Sequence, residues 1–302
     1  MQKNISIILS ILLASALFGA GCASVTQIGT AVGQATGAIT PEQANSINRT
    51  AAAVEKTFQD ITPEQEYYIG RSVAATVLTK YKAGKGEEAN QYLNVLGNIL
   101  AEASDRPETF GGYHFQIIET DEINAFAAPG GFIMVSKGML RCCRSEDALA
   151  AVLAHEIGHI QGQHGLRAIK KGRLTSALTV LATESAKNLG GQELSQLTEA
   201  FEGSINDITG TLMNSGYARG LEREADVTSV RIMQRIGFDP NALVDMLGQM
   251  KQNLKPGGLD FAKTHPDPAD RIKDIRKTIG TAAARAAPAA RQRRFEQMIG
   301  KL

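Results

Sequence analysis

The sequence predicts an α+β domain, mostly helical, with one small β-sheet packed against a core helix. Three observations predict it. Helix-start signals and helical spacing recur along most of the 302 residues. Period-two alternation is confined to about residues 113–136. The most apolar helical segment follows that β-rich stretch directly, so sheet and helix share a core. Composition agrees, at 21% charged and 43% hydrophobic residues. A net charge of +1 excludes a broad nucleic-acid footprint. Three cysteines exclude a disulfide scaffold.

Residues 1–21 are expected to be a signal peptide. Lys3 gives the positive start, and the apolar run Ile5 to Phe18 falls short of the roughly 20 residues a membrane span needs. The run ends in Gly19-Ala20-Gly21-Cys22, similar to a bacterial lipobox in which Cys22 is lipidated, although Gly19 stands where Leu is usual. The rival is an ordinary cleaved signal with an unmodified cysteine. Residues 22–40, rich in Gly, Ala, Thr and Gln, are expected to be a tether, with a partly ordered arm as the alternative. The main domain is expected over 41–280.

Thr40-Pro41-Glu42 and Thr62-Pro63-Glu64 each place a cap, Pro at the first position and an acid in the first turn. They predict helices from Pro41 to about Asp60 and from Pro63 to about Lys82, and a third runs from about Glu87 to Ala103. Tyr113 to Glu119, Ile123 to Ala127 and Gly131 to Ser136 read as strands of a mixed or antiparallel sheet, the last two split by Pro129-Gly130-Gly131. Cys142 and Cys143 are adjacent, a spacing that strains a disulfide, and read as plain thiols. Ser145 caps the core helix, which runs to about Gln161 with Leu149, Val152, Leu153, Ile157 and Ile160 around most of its surface. Residues 174–214 carry weak helical patterns. Further helices are expected at about Leu221 to Ile236, Asn241 to Asn253 and Pro268 to Ile279. The tail, 281–302, holds five Lys/Arg against one Glu and reads as a basic surface helix.

The core helix contains His155-Glu156-Ile157-Gly158-His159. Histidines at i and i+4 share one helical face, so their imidazoles converge on one Zn²⁺. Glu156 between them is placed to act as general base on a water and then to carry the proton to the leaving amine. A third ligand is required. His164 lies one residue short of the HExxHxxGxxH spacing, and a residue turns a helical side chain by about 100°. It is therefore expected beside the site or at the surface. Glu222 is the better third ligand. Asp226, four residues on and on the same face, can orient a ligand histidine through its free N–H. The alternative for both is ion pairing on the helix surface with Arg219 or Arg223. Glu224 points elsewhere and reads as a solvated acid.

The HExxH helix followed by Glu222 and Asp226 resembles the HtpX and CAAX-prenyl-protease group of zinc metallopeptidases, in its bacterial envelope lipoprotein branch. The resemblance runs from about Ile61 to Ile279 and includes Asn124-Ala125-Phe126-Ala127, Pro129-Gly130-Gly131 and Gly138-Met139-Leu140. It implies a zincin-type domain with one Zn²⁺ per chain, held by His155, His159 and Glu222, with Glu156 as base and Asp226 in support. Arg219 matches an arginine three residues before the ligand glutamate. The strand of Asn124, Ala125 and Phe126 is similar to an edge strand that takes extended substrate, with a plain core strand as the alternative. His265, in Thr264-His265-Pro266, is similar to a histidine that occupies a fourth zinc position and holds the enzyme latent, with helix capping as the alternative. The implied protein is an endopeptidase facing the periplasm at the outer membrane, lipid-anchored, cleaving misfolded or unassembled polypeptides. The competing function is a zinc-containing chaperone or assembly factor for outer-membrane proteins with little proteolysis. The intact base Glu156 favours the enzyme.

Overall fold

The computed structural model describes residues 40–41, 61–169, 191–253, 268–280 and 285–302. The expected signal peptide, the tether with Cys22 (Thr40 apart), the helix from Pro41 (Pro41 itself apart) and His265 lie outside the described residues, as do residues 174–190. The chain divides into two compact units, 1–61 and 62–302, and every element named below belongs to the second.

Helix α1 spans Pro63–Lys80. Its start is a capping box: Gln65 N donates to Thr62 Oγ1 at 3.2 Å, and Thr62 N donates to Gln65 Oε1 at 2.9 Å. Helix α2 spans Glu87–Glu102. Strands β1 (His114–Ile118), β2 (Ala125–Ala128) and β3 (Phe132–Ser136) form a mixed sheet in the order β1-β3-β2. β1 runs parallel to β3, and β2 antiparallel. The β2–β3 reversal is one 3₁₀ turn, Pro129–Gly131, in which Gly130 and Gly131 take φ of +73° and +100°. Only glycine adopts such values cheaply. The outer edge of β1 is closed by side chains of α2. Phe115 N donates to Asn94 Oδ1 at 2.9 Å, and Ile117 N donates to Asn90 Oδ1 at 2.8 Å.

Two short helices went unanticipated, α3 (Lys137–Cys142) and α5 (His164–Arg167). Each is too short for periodicity to register. Between them α4 spans Glu146–Gln161, with Ala148 N donating to the Ser145 hydroxyl at 3.1 Å. Every α4 residue from Glu146 to Ile160 is buried. Leu149, Leu153 and Ile157 are fully enclosed, each contributing about 1.5–3 kcal/mol. Ala125, Ala127, Ile133 and Val135 of the sheet share their core.

Helix α6 (Gly191–Gly210) passes into a π turn, Thr211–Ser215. Helix α7 spans Arg219–Arg235, two residues earlier than the apolar pattern indicates, because its first turn is polar. It lies close against α4. A Cβ on Gly158 would meet Ala225 Cα at 2.9 Å, and Ser229 Oγ donates to Ala151 O at 3.1 Å. Helices α8 (Asn241–Asn253), α9 (Pro268–Ile279) and α10 (Ala289–Met298) complete the described elements. The tail is not merely a solvated basic helix. Phe295 and Ile299 join the core, and Arg294 pairs with buried Glu146. Among the described residues no helix is long and apolar enough to cross a membrane.

Candidate metal centre

The last turns of α4 and the first turns of α7 meet where Gly158 lets the backbones approach. His155 and His159 come from α4, and Glu222 and Asp226 from α7, all buried. His155 Nε2 stands 3.1 Å from His159 Nε2, 3.5 Å from Glu222 Oε2, and His159 Nε2 stands 3.4 Å from Glu222 Oε1. Ligand atoms of these three residues lie within 4.8 Å of one another, so the cluster can hold a metal ion. The spacing fits zinc. Four-coordinate zinc with bonds of about 2.0–2.2 Å needs neighbouring ligand atoms about 3.3 Å apart. The donor set of two imidazoles and a carboxylate also suits it.

Around the cluster the polar contacts are specific. Asp226 Oδ1 lies 3.0 Å from His155 Nδ1, leaving Nε2 toward the cluster. Arg271, from α9, donates to both carboxylate oxygens of Asp226, from Nε at 3.0 Å and from Nη2 at 2.7 Å. Its Nη1 stands 3.6 Å from Glu222 Oε2. Sequence reasoning missed Arg271. The available signal was its place one turn before Ile275 on the apolar stripe of α9, where a cation needs a buried partner.

His164 is fully buried, with Nδ1 2.8 Å from His159 Nδ1 and Nε2 3.1 Å from Glu224 Oε2. Glu224 is half-exposed, and besides His164 it accepts from Arg167 Nη1 at 2.8 Å. It is therefore engaged, not a free surface acid. Tyr217 stacks on His159 with ring centroids 4.4 Å apart.

Burial pushes the Glu156 carboxyl up, His155 opposes and Glu222 adds, and it stands at about 7. Glu156 Oε1 is buried with no hydrogen-bond partner among the described residues. Burial and Arg271 push the His155 imidazole down, but hydrogen bonds to Asp226 and Glu222 outweigh them and hold it near 9. Burial raises Asp226, yet Arg271 and His155 draw it down to about 2. The His164 hydrogen bond, then Arg167, hold Glu224 at about 2 against its partial burial.

Of the other residues singled out by sequence, Arg219 lines one cavity with Glu222, Asp226 and Arg271. Arg219 is largely exposed, 3.7 Å from Asp270. Asn124, Ala125 and Phe126 are buried in and just before β2, with Asn124 Oδ1 accepting from Ala125 N at 2.9 Å. β2 is covered along its whole length. Cys142 and Cys143 are buried thiols.

Residues 87–279, spanning α2 to α9 and the whole cluster, match peptidase family M48. The chain belongs to that family. M48 peptidases are metal-dependent, in keeping with the His155, His159 and Glu222 set. The chain is 32% identical over 195 residues to the beta-barrel assembly-enhancing protease of Escherichia coli (strain K12), covering 62% of this chain and 38% of that protein. It is 32% identical over 173 residues to the mitochondrial metalloendopeptidase OMA1 of Schizosaccharomyces pombe, covering 55% of this chain and 47% of that one. To metalloprotease LoiP of Escherichia coli (strain K12) it is 26% identical over 186 residues, 61% of this chain and 66% of that one. The match to the assembly-enhancing proteases thus spans well under half of their length.

Proposed function

We propose that this M48 chain is a zinc-dependent endopeptidase of the bacterial cell envelope, cleaving misfolded or unassembled proteins, outer-membrane β-barrel proteins among them. The observation that carries the reading is the buried meeting of His155, His159 and Glu222 beside a carboxylate, Glu156, that has an oxygen to spare. A zinc ion held by the three would supply a Lewis acid for the scissile carbonyl. Glu156 takes the proton of the attacking water and returns it to the leaving amine. Asp226 orients His155, and Arg271 offsets the charge of two buried carboxylates. The relatives named for assembly of β-barrels support the substrate class. The signal-like run and Cys22 support a lipid-anchored envelope address.

Substrate binds as an added strand along Asn124, Ala125 and Phe126. Because β2 is covered, that strand must first be uncovered, and a resting latent state follows. His265 belongs to that latency. It lies three residues before α9, the helix that brings Arg271 to the cluster.

The test is cleavage of unfolded casein by the intact chain. Glu156→Gln should lower the rate about 10²–10⁴-fold, a chelator should abolish it, and His265→Ala should raise it. Equal cleavage by wild type and Glu156→Gln would overturn the mechanism. Unchanged or lost activity in His265→Ala would remove the gate.

A further inference from the structure

We propose that His164 and Glu224 form a positioning dyad that fixes which nitrogen of His159 faces the metal. This rests on the reading of His159 as a ligand. The logic is one of donors and acceptors. The carboxylate of Glu224 only accepts, so His164 Nε2, 3.1 Å away, carries the hydrogen. A neutral His164 then presents the lone pair of Nδ1 to His159 Nδ1 at 2.8 Å. His159 must donate there, which leaves its Nε2 lone pair turned toward His155 and Glu222. With the opposite tautomer, His159 would point a hydrogen into the cluster and could not ligate.

The chain is shaped locally to make this contact. His164 follows His159 by five residues, so on a continued helix it would sit about 140° away from the shared face. The helix instead stops at Gln161. Gln163 then takes φ +51°, ψ +35°, and among the described residues it alone of the non-glycines has positive φ. That left-handed residue, unfavourable for a side chain with a Cβ, swings His164 back beneath His159. Gly162 is required as well: a Cβ there would lie 2.2 Å from His164 Nε2. Tyr217 stacks on His159 at 23° between planes and so fixes the plane of the ring. Arg167, one helical turn beyond His164, holds the same Glu224 oxygen at 2.8 Å. Outer partners of this type typically change metal affinity 10–100-fold.

The experiment measures zinc affinity of the full chain by chelator competition, together with the visible spectrum of the cobalt-substituted protein. His164→Phe and Glu224→Ala should each weaken zinc at least tenfold and alter the cobalt spectrum. Glu224→Gln, which keeps an acceptor oxygen, should recover most of the affinity. Glu224→Ala strands the buried His164 Nε2–H and should lower the melting temperature of the metal-free chain, whereas Glu224→Gln should hold it near wild type. Zinc binding within twofold of wild type in both variants, or a lower melting temperature with unchanged affinity, would overturn the dyad and leave the metal centre standing. Failure of the wild-type chain to bind zinc would overturn the metal centre and the dyad with it.

Discussion

Helix α4 carries buried charge at both ends, and the two ends are built on opposite terms. At the N-terminus Glu146 and Asp147 face the positive end of the helix dipole. Glu146 accepts from the Tyr92 hydroxyl at 2.8 Å and from Arg294 Nε at 2.7 Å. Asp147 accepts from Asp239 N at 3.0 Å and pairs with Arg291 at 3.5 Å. The acceptors there are met by fixed protein donors. At the C-terminus three acids, Glu156, Glu222 and Asp226, gather with two histidines around one arginine, and Glu156 keeps an oxygen that no described residue uses. Acceptors are in surplus. A cluster whose valence is used up internally holds a fold together, while one with surplus acceptors is ready for a cation and a water.

Substitutions at the two ends break or sharpen that contrast. The largest effect is expected from Arg271→Leu, which strands Asp226 and Glu222 without their cation. Breaking such a buried pair should cost about 3–5 kcal/mol in urea melts of the metal-free chain. Added zinc should recover part of that loss, because the cation restores positive charge among the acids. A loss below about 1 kcal/mol would mean that the functional end is as self-sufficient as the other. Next, Phe295→Ala empties a buried site near the N-terminal end and should cost about 3 kcal/mol. Its zinc affinity should stay within twofold of wild type. A tenfold loss would show that the two ends are coupled along α4. The smallest effect concerns Cys142 and Cys143 beside the N-terminal end. Burial pushes the Cys143 thiol well above its usual range, with Cys142 adding to it. Iodoacetamide should therefore leave Cys142 and Cys143 unlabelled in the native chain at neutral pH and label both fully in urea. Rapid native labelling would mean that this end opens.

Much of the fold was legible because its signals are local. Thr62 and Ser145 cap helices where a hydroxyl precedes an acidic first turn, and Pro129-Gly130-Gly131 marks the reversal between strands. The pair His155 and His159 was legible for the same reason, since four residues on a helix fix a shared face. Glu222 and Asp226 followed from the same spacing on a second helix, although their distance from α4 did not. What escaped were contacts across long separations. Arg294 looked like part of a solvated basic tail, yet its partner Glu146 lies 148 residues earlier. Glu224 looked like a surface acid, yet its partner His164 lies 60 residues earlier.

The sequence by itself determined most of the longer helices, the short β-rich region, the HExxH face and the membership class those residues resemble. Each depends on neighbours within a turn or a hairpin. Only the tertiary structure decided that Arg271 closes the cluster, that His164 turns back beneath His159, and that β2 is covered. Those depend on which helices pack together and on one left-handed residue at Gln163. The energy that selects them comes from burying charge with its partners, and periodicity carries no record of which distant partner that is.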